Sequence, residues 1–395
     1  MFLIYHMKKL IPVFALVLLL SAGFTASASA QSDTSAFKPH WSFNGQFFAD
    51  YYYMLSADTA GPAGKSYYEP NKNTGGAVAN TKNWQAFDMR RVQFGANYYY
   101  SKDITAKVLL EHENASTNQD VEQNSKSSVY VKEASLTFGG WIPMGNVIFG
   151  QQAMNLFSVD EGLWGFRGEE KSILDFRGMT ETGSNDLGIQ ATGNLDAGKD
   201  FGYAVAIVNS NNSSKIENFR DKVLAGDVNA KFLDKHIVLD VSGDVAGAAT
   251  ATSGLDSGYS ESNSLWKVAA AYTSAPITVG VVYANHTLGA QSKSVAGQNL
   301  VQSGLSIFAH GQIIPKALNA FARYDMFDPD TKASTDDKAG RKETFMTFGL
   351  DWIPQADANV HVDPNIEINS FKDKSSAGVN YEPITVVRLT LWAKF

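Results

Sequence analysis

From residue 40 onward apolar and polar side chains alternate with a period of two, and no stretch keeps a 3.6-residue period beyond about two turns, so the chain reads as all-β. Val360, Val362, Ile366 and Ile368 alternate with Asn359, His361, Asp363, Asn365, Glu367 and Asn369, interrupted only by Pro364. Leu318, Ala320, Ala322, Tyr324 and Met326 alternate in the same way with Asn319, Phe321, Arg323 and Asp325. Strands are predicted over His40–Leu55, Gln85–Tyr100, Ile104–Glu113, Ser128–Gly139, Val147–Gln151, Asp186–Leu195, Phe201–Asn209, Lys222–Leu233, His236–Val245, Leu265–Thr273, Ile277–Asn285, Gly304–Gln312, Ala317–Met326, Glu343–Trp352, Ala358–Asn369 and Ile384–Phe395.

Their connections are short and long in turn. Ser101-Lys102-Asp103, the pair Pro143 and Gly145, Asp196-Ala197-Gly198-Lys199, Asp234-Lys235, Pro276, Pro315 and Pro354 mark the tight turns. Polar loops separate the other pairs, the longest being Gln152 to Ser184. An even count of about sixteen strands, sixteen to eighteen allowing for a miscount, with short turns at one end and long loops at the other, predicts a transmembrane antiparallel β-barrel with periplasmic turns and external loops. A barrel of about that size is too wide for side chains to fill, so a lumen follows from the count. The rival is a soluble β-sandwich, which would alternate too but bury its apolar face and use shorter strands.

Composition supports the membrane reading. The 395 residues are 44% hydrophobic and 12% aromatic but only 18% charged, with no cysteine, which removes disulfides, thiol catalysis and Cys-ligated metals. Lys8 and Lys9, the apolar run Ile11 to Leu20 and Ala28-Ser29-Ala30 form a signal peptide over residues 1–30, so that 31–395 is the barrel domain. The run is too short to span a membrane as a helix, which needs about 20 residues. Without this segment 31 basic residues face 40 acidic ones, a balance that disfavours nucleic acid as a partner. The remaining partners are the outer-membrane bilayer, ions and small solutes. The alternating end Leu389 to Phe395, closed by a terminal Phe, resembles the signal read by the barrel assembly machinery.

By strand phase Arg91, Lys107, Lys231, Arg323 and Arg388 should point inward, together with Glu111, Glu133, Asp227, Asp240, Asp325, Asp363 and Glu367. Opposed charges across a wet lumen would set up a transverse field favouring small hydrophilic solutes, unless they pair with one another along the wall. The loop from Gln152 to Ser184 carries Asp160, Glu161, Glu169, Glu170, Asp175 and Glu181 against Arg167, Lys171 and Arg177, with Phe157, Leu163, Trp164 and Phe166 available to hold it to a wall. It is the candidate constriction; the bland alternative is a loop that caps the barrel from outside. Tyr51, Tyr52, Tyr53, Tyr98, Tyr99, Tyr100, Trp352 and Trp392 sit near strand ends, where an interfacial girdle belongs, and Tyr99, Phe321 and Trp392 fall on the inward phase.

Catalytic signals are poor, and neither cofactor nor metal is expected. Gly64-Lys65-Ser66 imitates the end of a phosphate-binding loop, but Thr59 stands where its first glycine belongs. His112-Glu113 lacks the second histidine of a zinc helix. An outer-membrane barrel enzyme of the phospholipase kind and an adhesive or structural barrel are the alternative classes.

The segment FDMRRVQFGANYYYSKDITAKVLLEHE (Phe87 to Glu113), NDLGIQATGNL (Asn185 to Leu195), the run from Ala317 to Thr331 with its Phe-x-Arg-Tyr-Asp element leading into Asp-Pro-Asp, and TFMTFGLDWIP (Thr344 to Pro354) resemble the phosphate-selective porin O and P family. The resemblance implies a passive outer-membrane channel whose long third loop folds inward, with phosphate or other anions as cargo. Sixteen-stranded porins commonly assemble as trimers, which makes a homotrimer the implied oligomer. In that family phosphate selection is attributed to pore arginines and a lysine cluster in the constriction loop. No such cluster stands between Gln152 and Ser184, so the resemblance speaks more to ancestry than to substrate.

Overall fold

The computed structural model describes residues 37–57, 82–113, 129–210, 217, 221–247, 262–289, 298–332, 341–355, 359–372 and 382–395. The signal segment and Gly64-Lys65-Ser66 lie outside these residues. Sixteen strands occur in chain order: β1 (His40–Ser56), β2 (Gln85–Tyr99), β3 (Ile104–Glu113), β4 (Tyr130–Ile142), β5 (Gly145–Ala153), β6 (Asn185–Asn194), β7 (Phe201–Val208), β8 (Val223–Phe232), β9 (Ile237–Ala246), β10 (Asn263–Ser274), β11 (Ile277–Leu288), β12 (Leu300–Ile314), β13 (Leu318–Asp328), β14 (Lys342–Trp352), β15 (Val360–Lys372) and β16 (Ile384–Lys394). Each pairs antiparallel with its sequence neighbours, and β16 pairs with β1, so the sheet closes into a barrel with no free edge. Closure extends to the last residue, with Gly45 N donating to Phe395 O at 2.8 Å and Phe395 N to Gly45 O at 3.0 Å. A closed ladder satisfies every strand amide internally, which the hydrocarbon of a bilayer demands.

The distribution of side chains is inverted relative to a water-soluble protein. On β13 Tyr324 and Met326 are 38% and 42% exposed, whereas Arg323 and Asp325 between and beside them are 4% and 0% exposed. On β15 Asp363, Asn365, Glu367 and Asn369 are buried and Pro364 is on the outer face. On β16 Val387, Leu389 and Leu391 face outward while Arg388 and Thr390 are buried. A sandwich would bury the apolar set, so the sandwich reading is excluded and the outer surface is built for lipid. Aromatics gather outside near the short-turn end, as in Trp41 against Tyr98, with ring centroids 4.7 Å apart, and Phe138 stacked on Trp141 at 4.3 Å.

Predicted strand bounds hold to within a few residues, with the largest extension in β12, which begins at Leu300 rather than Gly304. Two inward positions escaped the period-two reading because the ladder bulges. Between Phe48 and Asp50 of β1 the register with β2 shifts, and both Arg90 and Arg91 turn inward and are buried. A second shift, between Leu109 and Leu110, brings Lys132 and Glu133 of β4 to the inner face. A bulge adds a residue to one strand and so carries two successive side chains to one side.

Placing a charge on the lipid face should therefore cost far more than placing it in a turn. Leu389→Arg, at the middle of β16, is expected to destabilise the barrel in phospholipid vesicles by about 2–4 kcal/mol and Leu233→Arg, in the turn between β8 and β9, by no more than about 1 kcal/mol, read from urea-unfolding midpoints. Equal penalties would contradict the lipid-facing assignment.

Candidate functional site: the lumen and the loop that crosses it

The connection between β5 and β6 is folded, with its neck closed by Met154 N donating to Ser184 O at 3.0 Å. A 3-10 turn at Asn155–Phe157 leads into α1 (Ser158–Trp164), and α2 (Ile173–Arg177) follows. Gly165 and Gly178 end the two helices at φ of 72° and 63°, left-handed values that glycine adopts without a Cβ penalty. These two short helices were not legible in the period-two pattern.

The side chains of this segment meet the inner wall at successive strands. Lys267 of β10 is fully buried, with Nζ 2.8 Å from Asp160 Oδ1, 3.0 Å from Asp240 Oδ2 and 2.5 Å from the Leu156 carbonyl oxygen. Trp164 packs edge-on against Phe308 and Phe321, and Phe166 lies 4.6 Å from Phe321 between ring centroids. His310 Nε2 donates to the Leu163 carbonyl at 2.9 Å. Arg323 grips Asp325 on its own strand, donates through Nη1 to the Lys171 carbonyl at 2.5 Å, and its guanidinium sits 5.5 Å from the Trp164 ring. Arg177 pairs with Glu343 of β14, and Arg90 pairs with Asp50 and donates to the Gly168 carbonyl. Glu169 accepts from Asn365 Nδ2 at 2.5 Å, from Arg388 Nη2 at 3.1 Å and from Thr390 at 3.2 Å.

What remains open between this segment and the wall is a cavity of about 490 Å³ lined by Arg91, Lys132, Glu133, Glu161, Arg167 and Asp175 among its charged groups. These charges are paired locally. Arg91 and Lys132 flank Glu111, at 3.5 Å and 2.7 Å, and Arg167 bridges Glu161 and Asp175 at 3.1 Å and 3.0 Å. Lys107 pairs with Glu133 at 2.7 Å on the same side of the barrel. The transverse field expected from unpaired opposite walls is thus replaced, for these groups, by ion pairs along each wall.

Of the residues singled out by sequence, Arg91, Glu133, Glu161, Arg167 and Asp175 line the cavity, and Glu111 stands behind it. Arg323, Asp325 and Arg388 are buried beneath the crossing segment, Asp160, Glu169 and Arg177 tie that segment to the wall, and Glu170 is buried within it, accepting from Lys171 N at 2.7 Å. Lys171 contributes its carbonyl to Arg323, and Lys231 has the inward phase on β8, half-buried. Missed were Arg90 and Lys132, hidden by bulges, and Lys267. The phase of Lys267 against Trp266 and Val268 was readable, since both neighbours are exposed apolar residues.

Burial, opposed by Lys267, pushes the Asp160 carboxyl up to about 6 from the usual 3.8. Burial likewise raises Glu169, against the pull of Arg388. The folded state therefore takes up a proton at Asp160 more readily than the unfolded chain, and the penalty of its charge is absent below about pH 3.8 and complete above about pH 6. Asp160→Asn should gain on the parent chain as pH rises from 4 to 8, by on the order of 2 kcal/mol, in paired unfolding titrations at the two pH values. A loss with rising pH would contradict the assigned environment.

No protein-family model matches the chain, and no curated protein does so. Among solved structures, an anion-selective porin from Comamonas acidovorans is 11% identical, with 91% of this chain and 100% of that one aligned at a TM-score of 0.62. The outer membrane channel DcaP of Acinetobacter baumannii is 12% identical over 90% of this chain and 97% of its own, with a TM-score of 0.61. In-vitro folded OmpT of Vibrio cholerae, in its trimer form, is 14% identical over 91% of this chain and 100% of its own, with a TM-score of 0.56. Identities this low speak to architecture: the chain has the sixteen-stranded barrel fold of outer-membrane porins.

Proposed function

We propose that this chain is a porin of the bacterial outer membrane, exported on a signal peptide cleaved after Ala30, in which the segment 152–184 narrows a water-filled passage for ions and small hydrophilic solutes. The observation that carries the reading is the cavity between that segment and the opposite wall, lined by charged groups of both signs rather than filled with apolar side chains. The anchors on β10 to β16 and on β2 favour a constriction over an external cap, because they tie the segment to the inner wall by buried ion pairs, hydrogen bonds and aromatic contacts. Its lining requires no catalytic group; a diffusion channel works by size and fixed charge.

As to cargo, Arg91, Lys132 and Arg167 beside the passage are matched by carboxylates a few ångströms away, and among the described residues no cluster of cations able to strip water from phosphate is built there. We therefore favour a general channel with weak ion preference over a phosphate-selective one. The trimer form of the Vibrio cholerae barrel makes a homotrimer the natural assembly to look for. The terminal Phe395 keeps its proposed role as the end read by the assembly machinery.

Single-channel recording of the refolded mature chain in a planar bilayer tests the reading. Stable conductance steps are expected, with a small reversal potential under a salt gradient and no block when millimolar phosphate is added. Arg167→Glu should move the reversal potential toward cations, since it leaves Glu161 and Asp175 uncompensated in the passage. A folded barrel that does not conduct would overturn the porin assignment, and block by phosphate would restore the phosphate-selective alternative.

A further inference from the structure

Near the short-turn end of the inner wall, Asp351 of β14 and His361 and Asp363 of β15 each bring one ligand-capable atom within 4.8 Å of the other two. We propose that these three side chains form a binding site for a borderline divalent transition metal of the zinc class. An imidazole nitrogen with two carboxylate oxygens is a donor set that suits such ions better than calcium or magnesium, which prefer oxygen alone.

The arrangement is pre-organised. Asn319 donates from Nδ2 to Asp351 Oδ2 at 2.7 Å, and the Trp392 indole nitrogen donates to Asp363 Oδ2 at 2.7 Å. These contacts orient the two carboxylates as outer-shell partners do in metal sites. The His361 ring stacks on Trp392 with centroids 3.5 Å apart, which fixes its plane, and its Nδ1 lies 2.7 Å from Asp351 Oδ1. Bonds of about 2.0–2.2 Å would bring tetrahedral ligands to roughly 3.4 Å from each other, so closing on a metal takes side-chain movements of about an ångström.

A second observation points to a missing cation. Asp363 is fully buried, and its Oδ1 has no hydrogen-bond donor. The carboxylate that stands beside Asp363 is Glu169, itself fully buried and with no donor on Oε1. Arg388 is spent on Glu169, Glu367 and Asn365. Glu169 already has the Arg388 guanidinium 3.1 Å from its Oε2, whereas Asp363 has no ion-pair partner among the described residues, and a buried carboxylate left without one is costly. A divalent ion on Asp351, His361 and Asp363 supplies it, and its access route is the cavity, since Trp392 both lines that cavity and covers His361. Sequence motifs could not show the site, because its residues are spread over a hairpin with His361 ten positions after Asp351 and no recurrent metal spacing.

The test is calorimetric titration of the untagged, refolded mature chain in detergent with Zn²⁺, alongside His361→Gln and Asp363→Asn, each checked for barrel content by circular dichroism. One site per chain at micromolar or tighter dissociation constant is expected, weakened at least tenfold in either variant, with Co²⁺ giving visible d–d absorption that His361→Gln abolishes. Absence of stoichiometric binding to the folded parent chain would overturn the proposal. So would Zn²⁺ binding that both folded variants retain unchanged, or Ca²⁺ binding as tight as Zn²⁺. If Asp363→Asn does not fold, His361→Gln decides alone. The readout is binding, so it stands or falls independently of whether the barrel conducts.

Discussion

Everything in this molecule follows from the requirement that a strand amide in hydrocarbon must find its partner within the protein. One pairing, β16 against β1, converts a sheet with two open edges into a closed surface, and the mutual hydrogen bonds of Gly45 and Phe395 complete it at the last residue. Once the ladder is closed, the side-chain problem inverts. Outward positions are matched to lipid and can be almost uniformly apolar, while inward positions must satisfy charge and polarity among themselves. Arg323 with Asp325, Lys267 with Asp160 and Asp240, and Arg388 with Glu169 and Glu367 are that inner solution.

The inner solution also explains why the segment between β5 and β6 stays inside. A barrel of sixteen strands leaves a lumen too wide for wall side chains to bridge, so buried wall charges need partners from elsewhere. The crossing segment supplies them from backbone carbonyls as well as side chains: Leu156, Leu163, Gly168, Glu169 and Lys171 all offer carbonyl oxygens to wall cations or to His310. Buried ion pairs contribute little net stability over an apolar alternative, and their value lies in specifying one arrangement. Here they specify which side of the lumen is filled and which stays open.

The fold was legible in the sequence because a period of two needs no tertiary knowledge, and proline- and glycine-marked turns separate the strands whichever way they face. Arg323, Arg388 and Asp363 were placed on the inner face by that reasoning and are there. What was not legible depended on breaks in the period or on distance in the chain. The bulge opposite Ala49 makes Arg90 as much an inner residue as Arg91, and nothing local in FDMRRVQF announces it. The roles of Asp160 and Arg177 turn on Lys267 and Glu343, each more than a hundred residues away, so the loop's own sequence does not show which of its charges face the cavity and which tie it to the wall. Likewise His361 and Trp392 meet face to face only because β15 and β16 pair in that register.

The central claim is the inverted distribution of side chains, and spin labelling tests it most directly, because the chain has no native cysteine to mask. Nitroxides placed one at a time from Ala320 to Met326 of β13, in the barrel reconstituted into lipid vesicles, should show collision rates with lipid-soluble oxygen that peak at 320, 322, 324 and 326 and fall at 321, 323 and 325. A flat profile, or one with the opposite phase, would contradict the account.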